Sequence, residues 1–247
     1  MKKIIIIFFI LGLINLSFSE DNCKKLYPLK PMHKYKFGLF LIDRLGYTIE
    51  DKKNLMYEIT SWYGGDYNRL WLEAEGNQDL GNNEGEIERF DVMFGRWIAP
   101  FWDGRIGLGY IGKYGNNNDF GRVNLVFSLK GLAPYMFETD LDIRLLSTGE
   151  ILVDLELEYS LLLTQRLILQ PKFSTMYSSK NIEKMAIGSG LNSFDVSLRL
   201  LYEIKREFAP YIELSNSYYF GNTKDFIKNE IRRDKETNIY IGLRMWF

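Results

Sequence analysis

Segment after segment of this chain alternates apolar and polar residues with a period of two, and that alternation narrows its possible folds more than any other feature. Across residues 237–247, Thr237, Ile239, Ile241, Leu243, Met245 and Phe247 share one face, against Asn238, Tyr240, Gly242, Arg244 and Trp246. Ile151, Val153, Leu155, Leu157, Tyr159 and Leu161 alternate in the same way with Asp154, Glu156 and Glu158. Phe194, Val196, Leu198, Leu200 and Tyr202 alternate with Asp195, Arg199 and Glu203. Successive side chains of a strand point to opposite faces, so each segment reads as a β-strand between two different environments. No segment from Lys34 onward reads as a helix. A soluble sandwich would alternate too; the connections separate the two architectures.

Short links recur at Gly64-Gly65, at Ala99-Pro100, from Gly131 to Pro134, near Thr164, and from Lys205 to Ala209. Longer polar links fall between them, from Gly76 to Gly85, Lys113 to Gly121, Tyr177 to Gly190, and Phe220 to Glu236. Two on the long side, Asp51–Asn54 and Ser147–Gly149, are brief. Tight turns at one end and long loops at the other are the asymmetry of an outer-membrane barrel. The sequence therefore predicts an all-β, transmembrane, antiparallel up-and-down β-barrel of about 12 strands over residues 34–247, with both termini periplasmic. Ala99-Pro100-Phe101, Ala133-Pro134-Tyr135 and Ala209-Pro210-Tyr211 each follow a short turn. Proline lacks an amide donor and suits a strand start, which leaves the following aromatic at the membrane interface. The stop on Phe247 resembles the assembly signal of bacterial outer-membrane barrels.

The N-terminal residues fit export. Lys2 and Lys3 precede an apolar run from Ile4 to Leu13, and Ser17-Phe18-Ser19 offers a small-x-small cleavage pattern. Residues 1–19 read as a signal peptide and residues 20–33, polar and holding Pro28 and Pro31, as a flexible periplasmic segment. Glu20-Asp21-Asn22 before Cys23 lacks the small and apolar residues of a lipidation site. Mean hydropathy is −0.18, which alternating faces produce by averaging. Loss of Lys2 and Lys3 takes the formal charge from −1 to about −3, which excludes a basic nucleic-acid binder. One cysteine excludes a disulfide framework.

By parity the lumen receives Arg69, Glu73, Glu75, Arg89, Asp91, Asp103, Arg105, Glu138, Asp140, Asp142 and Arg144. It also receives Asp154, Glu156, Glu158, Arg166, Lys172, Asp195, Arg199, Glu203, Glu213 and Arg244. The acids at 138–142 and 154–158 sit on adjacent strands, where they either attract cations into a pore or form part of a mixed-charge lattice that stiffens the barrel. The sole histidine, His33, precedes the barrel, so no strand can supply the base of a Ser-His hydrolase. The expectation is no enzyme. Met32-His33 pairs a thioether with an imidazole, ligands that suit copper, and parity turns Met93, Met136 and Met176 to the lumen. Gap-filling in the core explains methionines equally well.

Several longer blocks go beyond periodicity. They are Trp62-Tyr63-Gly64-Gly65-Asp66-Tyr67-Asn68-Arg69-Leu70-Trp71-Leu72, Gly131-Leu132-Ala133-Pro134-Tyr135 with Phe137-Glu138, and Leu163-Thr164-Gln165-Arg166-Leu167-Ile168-Leu169-Gln170-Pro171. Gly188-Ser189-Gly190-Leu191, Tyr202-Glu203-Ile204-Lys205-Arg206-Glu207-Phe208-Ala209-Pro210-Tyr211 and Gly242-Leu243-Arg244-Met245-Trp246-Phe247 follow. In order and content these blocks resemble the copper resistance protein B family of Gram-negative outer-membrane proteins, from about residue 38 to the end. The resemblance implies an outer-membrane barrel concerned with copper resistance, by binding or export, with membrane lipid, copper ions and periplasmic copper proteins as partners. Members carry a Met- and His-rich segment before the barrel, of which Met32 and His33 are all that residues 20–37 retain. Met136 stands where the family commonly has Trp before Phe-Glu. Met32, His33 and Met136 are thus the candidate copper ligands. The alternative is a general outer-membrane pore or structural barrel without copper handling.

Overall fold

The computed structural model describes residues 36–49, 54–81, 84–115, 120–231 and 235–247. The expected signal peptide and the segment after it, with Cys23, Met32 and His33, lie outside the described residues. Alternation becomes strand throughout: β1 (Phe37–Thr48), β2 (Asn54–Gly64), β3 (Asn68–Asp79), β4 (Glu84–Ala99), β5 (Trp102–Tyr114), β6 (Phe120–Ala133) and β7 (Phe137–Leu146). Then come β8 (Ile151–Glu158), β9 (Leu161–Leu162), β10 (Leu167–Ser178), β11 (Gly190–Tyr202), β12 (Phe208–Tyr219) and β13 (Lys235–Trp246). β8 and β9 both pair with β10 and are two pieces of one stave, interrupted at Tyr159-Ser160. Every stave is antiparallel to its neighbours, and β13 returns to pair with β1. The result is a closed barrel of twelve staves, as the sequence predicts.

Closure is what makes such a sheet viable in lipid, because it leaves no edge of unpaired N–H and C=O groups. The seam runs from Leu41↔Trp246 to Thr48↔Tyr240, and Phe247 extends it: its N–H donates to the Phe40 carbonyl at 2.9 Å and its carbonyl accepts from the Phe40 N–H at 3.1 Å. A 12-residue strand such as β1 is about 40 Å long at the usual rise, which spans a hydrocarbon core of roughly 30 Å when tilted.

Burial is inverted relative to a water-soluble fold. Outward Leu70, Leu108, Ile212 and Ile241 are each more than half exposed, whereas inward Glu73, Asp91, Arg199 and Glu213 are almost fully covered. An apolar surface of this extent needs lipid against it. The short connections, 65–67, 100–101, 134–136, 163–166 and 203–207, share one end with both ends of the described barrel; this is the turn end. Among the described residues the opposite, loop end carries one α-helix, α1 (Gly221–Ile231), in the longest connection. That helix corrects the expectation that no segment from Lys34 onward is helical: a helix placed beyond the end of β12 obeys no strand parity. No helix among the described residues is long and apolar enough to cross a membrane.

Candidate functional site

The lumen is built from side chains that the pleat turns inward. Arg105 on β5 is the most enclosed base: it meets Glu73 at 2.5 Å and Asp140 at 2.6 Å, and it donates to the Ser128 hydroxyl. Lys130 completes this group, 3.0 Å from Asp140. Nearer the loop end Arg144 binds Asp91 and Asp142, each at 2.8 Å, and reaches Asp154 at 3.4 Å. Arg89 binds Glu75 at 2.8 Å and stretches to Glu58 and Asp142. Nearer the turn end Arg199 joins Asp43 to Glu158, and Arg244 also meets Asp43 at 2.9 Å. Lys172 on β10 pairs with Glu156 at 2.5 Å and with Glu58 of β2 at 3.6 Å, across the lumen.

Facing these bases is an acidic ladder. In the register of β7 with β8, Glu138 opposes Glu158, Asp140 opposes Glu156, and Asp142 opposes Asp154. Like charges directly opposite one another on a sheet are destabilising, and here three successive rungs carry them. Two cavities lie along the ladder. One, toward the loop end and about 160 Å³, is lined by Glu75, Glu88, Asp140, Asp142, Asp154, Glu156 and Asp195, with Arg89 and Arg144 as its bases. The other, toward the turn end and about 390 Å³, is lined by Asp43, Glu58, Asp103, Glu138, Asp140, Glu156 and Glu158, with Lys130 and Arg244. Asp140 and Glu156 line both, so the middle rung joins the two chambers. Twelve carboxylates line the two chambers and nine bases line them or pair with those carboxylates, so the lining keeps a modest excess of negative charge, which favours cations.

The turn-end chamber has an apolar side, where Leu39, Leu41, Trp62 and Trp71 line it. Trp71 packs with Met93 and Val126, and the Arg105 guanidinium sits 5.2 Å from its ring centroid.

The lumen expected from the sequence is largely the lumen observed, with three groups of exceptions. Asp43, Arg44, Glu58 and Lys130 are inward-facing and did not figure in the parity reading. A register shift between Ile42 and Arg44 is a bulge, and it turns the consecutive residues Asp43 and Arg44 inward together. Arg166 and Glu203 belong to turn-end connections and not to the lumen wall, because the strands stop short of them. Met136 is the third case. It lies in the 3-10 turn Pro134–Met136 with φ 66° and is 71% exposed, so it does not face the lumen. The Ala-Pro turn breaks the parity on which its expected position rested. Met93 and Met176 do face inward, and Met176 lines the loop-end chamber. Among the described residues no group of three or more His, Cys, Asp or Glu is placed to hold a metal ion.

Comparison with known proteins agrees with this architecture. The sequence profile of the family described as "Copper resistance protein B precursor" matches residues 36–247. Copper resistance protein B of Escherichia coli is 35% identical over 214 residues, 85% of this chain and 69% of that protein. The Copper resistance protein B homolog of Pseudomonas syringae pv. tomato (strain ATCC BAA-871 / DC3000) is 31% identical over 209 residues, 84% of this chain and 69% of that protein. Among solved structures, the NanC porin superposes with a TM-score of 0.53 at 14% identity, over 84% of this chain and 98% of that one. The KdgM porin gives 0.51 at 11% identity, over 85% and 99%. These two likenesses show the outer-membrane barrel fold alone. The barrel residues and the profile match over them lead to one conclusion: the chain belongs to the copper resistance protein B family.

Proposed function

We propose that this outer-membrane barrel serves copper resistance by passing copper, as a cation, along the acidic ladder of β7 and β8, with no catalytic step. The observation that carries the reading is the ladder itself: three like-charge rungs retained in register and continuous with both chambers. Carboxylate oxygens without an imidazole beside them hold a divalent ion loosely, and conduction requires sites that release what they bind. Met176, in the loop-end chamber, adds a soft donor along the way. Both termini and the short turns face the periplasm in this reading, which puts the 390 Å³ chamber on the periplasmic side.

Deletion of the gene, complemented by plasmid-borne variants, tests the reading. Loss should lower survival in copper and change cell-associated copper; wild type should restore both. Asp154→Asn with Glu156→Gln should restore them poorly, whereas Met136→Ala, on an exposed turn, should restore them fully. Survival and cell copper that ignore the deletion would remove copper from the account and leave the fold. The second reading, a general pore or structural barrel, draws on the ion pairs that cross the lumen, such as Lys172–Glu58. Bilayer conductance equally open to small ions and indifferent to copper would favour it.

A further inference from the structure

At the loop end the inward side chains change from charged to apolar. Ile111, Phe120, Leu146, Leu152 and Met176 continue the inward parity of Arg105, Asn124, Arg144, Asp154 and Lys172 on five consecutive staves. Into this half-ring turns the connection between β10 and β11. Its Ile182, Met185 and Ile187 form one buried cluster with Ile111, Leu146 and Leu152, against which Phe120 and Met176 pack.

The segment is held in a defined shape. Ile182 and Ile187 pair as an antiparallel bridge around the 3-10 turn Glu183–Met185, and Ala186 closes it at φ 57°. Thr223 of α1, itself buried, accepts from the Gly188 N–H at 2.7 Å and donates to Asn192 Oδ1 at 2.6 Å. A Cβ on Gly188 would stand 2.5 Å from the Thr223 nitrogen, so glycine is what permits this approach. Asn181 Oδ1 accepts from both the Ser189 N–H at 2.6 Å and Asn222 Nδ2 at 3.1 Å. The three large apolar side chains of this connection are buried against the apolar half-ring at the mouth of the lumen. Large side chains packed into this half-ring narrow the loop-end opening by their bulk, and a narrowed opening selects solutes by size.

We propose that the segment Ile182–Ile187 is a stopper that sets the solute specificity of the lumen: it excludes sugar-sized neutral solutes and leaves the acidic ladder to small cations. The proposal deepens the copper reading and rests on the lumen being a cation path. Its test is the swelling of proteoliposomes, made with the full-length purified protein, in isosmotic arabinose. Wild-type vesicles should swell no faster than empty ones. Met185→Asp with Ile187→Asp, which puts charge where the cluster is dry, should raise the rate about tenfold or more. Thr223→Val, which cuts the tie from outside the cluster, should raise it to a smaller extent and serves if the double variant does not fold; heat-modifiable migration on gels reports folding. Arabinose entry through wild type, or equal swelling of wild type and every folded variant, overturns the proposal. Sugar exclusion without a copper phenotype keeps the stopper and removes copper handling, and a copper phenotype with a sugar-permeable wild type does the reverse.

Discussion

Single residues in this barrel matter according to how many partners they leave behind. Arg105 is fully covered and meets three carboxylates, so Arg105→Ala leaves Glu73 and Asp140 without their closest base and Asp142 without a more distant one. Removing one partner of a buried ion pair costs about 3 kcal/mol or more, and the urea midpoint of the refolded barrel should fall accordingly. Lys113 pairs with Glu86 at 3.2 Å near the loop end, where both are partly solvated; Lys113→Ala should shift the same midpoint by less than about 1 kcal/mol. Gly242 gives a second case. A Cβ there would stand 2.5 Å from the Tyr211 ring, which is buried against the seam, and also 2.5 Å from the Leu45 carbonyl. Gly242→Ala should therefore cost about 1–3 kcal/mol by overpacking, read as a lower temperature of heat-modifiable unfolding. The parity at Arg105 and Gly242 was legible in the sequence. The dependence of Gly242 on Tyr211 was not, because it joins residues on staves that only pairing brings together.

At the scale of elements, β7 and β8 carry the like-charge rungs on which the proposed cation path rests, at a cost in pairing energy. Asp154 and Glu156 are partly solvated members of the ladder, with about a third and a quarter of their side chains exposed. Asp154→Asn with Glu156→Gln should leave folding intact and lower the cation-to-anion permeability ratio several-fold, measured as a smaller reversal potential in a salt gradient. An unchanged ratio would mean that the ladder is a structural lattice and not a track. Both strands were readable apart from the start of β7 and the break after β8, since their apolar and acidic residues keep strict alternation. β1 was not. Its bulge puts Asp43 and Arg44 on one face, and a bulge is fixed by the register of the closing seam rather than by the local sequence. The turn at Pro134–Met136 and helix α1 were missed for a related reason: beyond a strand end the period of two stops carrying information.

For the whole molecule, the lumen acts through its summed field. The excess of twelve lining carboxylates over the nine bases that line the chambers or pair with them would attract cations at a distance, and salt would screen that attraction. The Debye length falls from about 10 Å at 0.1 M to about 3 Å at 1 M, so cation selectivity should decline steeply over that range. Selectivity that persists at 1 M salt would point instead to contact-scale discrimination at the middle rung, Asp140 and Glu156.

The sequence by itself determined the barrel: strand alternation, the order of short and long connections, and which face of most staves is wet. These follow from local rules, the two-residue period and the cost of an unpaired backbone in lipid. The tertiary structure alone decided which acids stand opposite one another, that Arg105, Arg144 and Lys172 draw carboxylates from several staves, and that Ile182, Met185 and Ile187 turn inward to fill the loop end. Those relations join residues far apart in the chain, and only the closure of twelve staves around one lumen brings them within reach of each other.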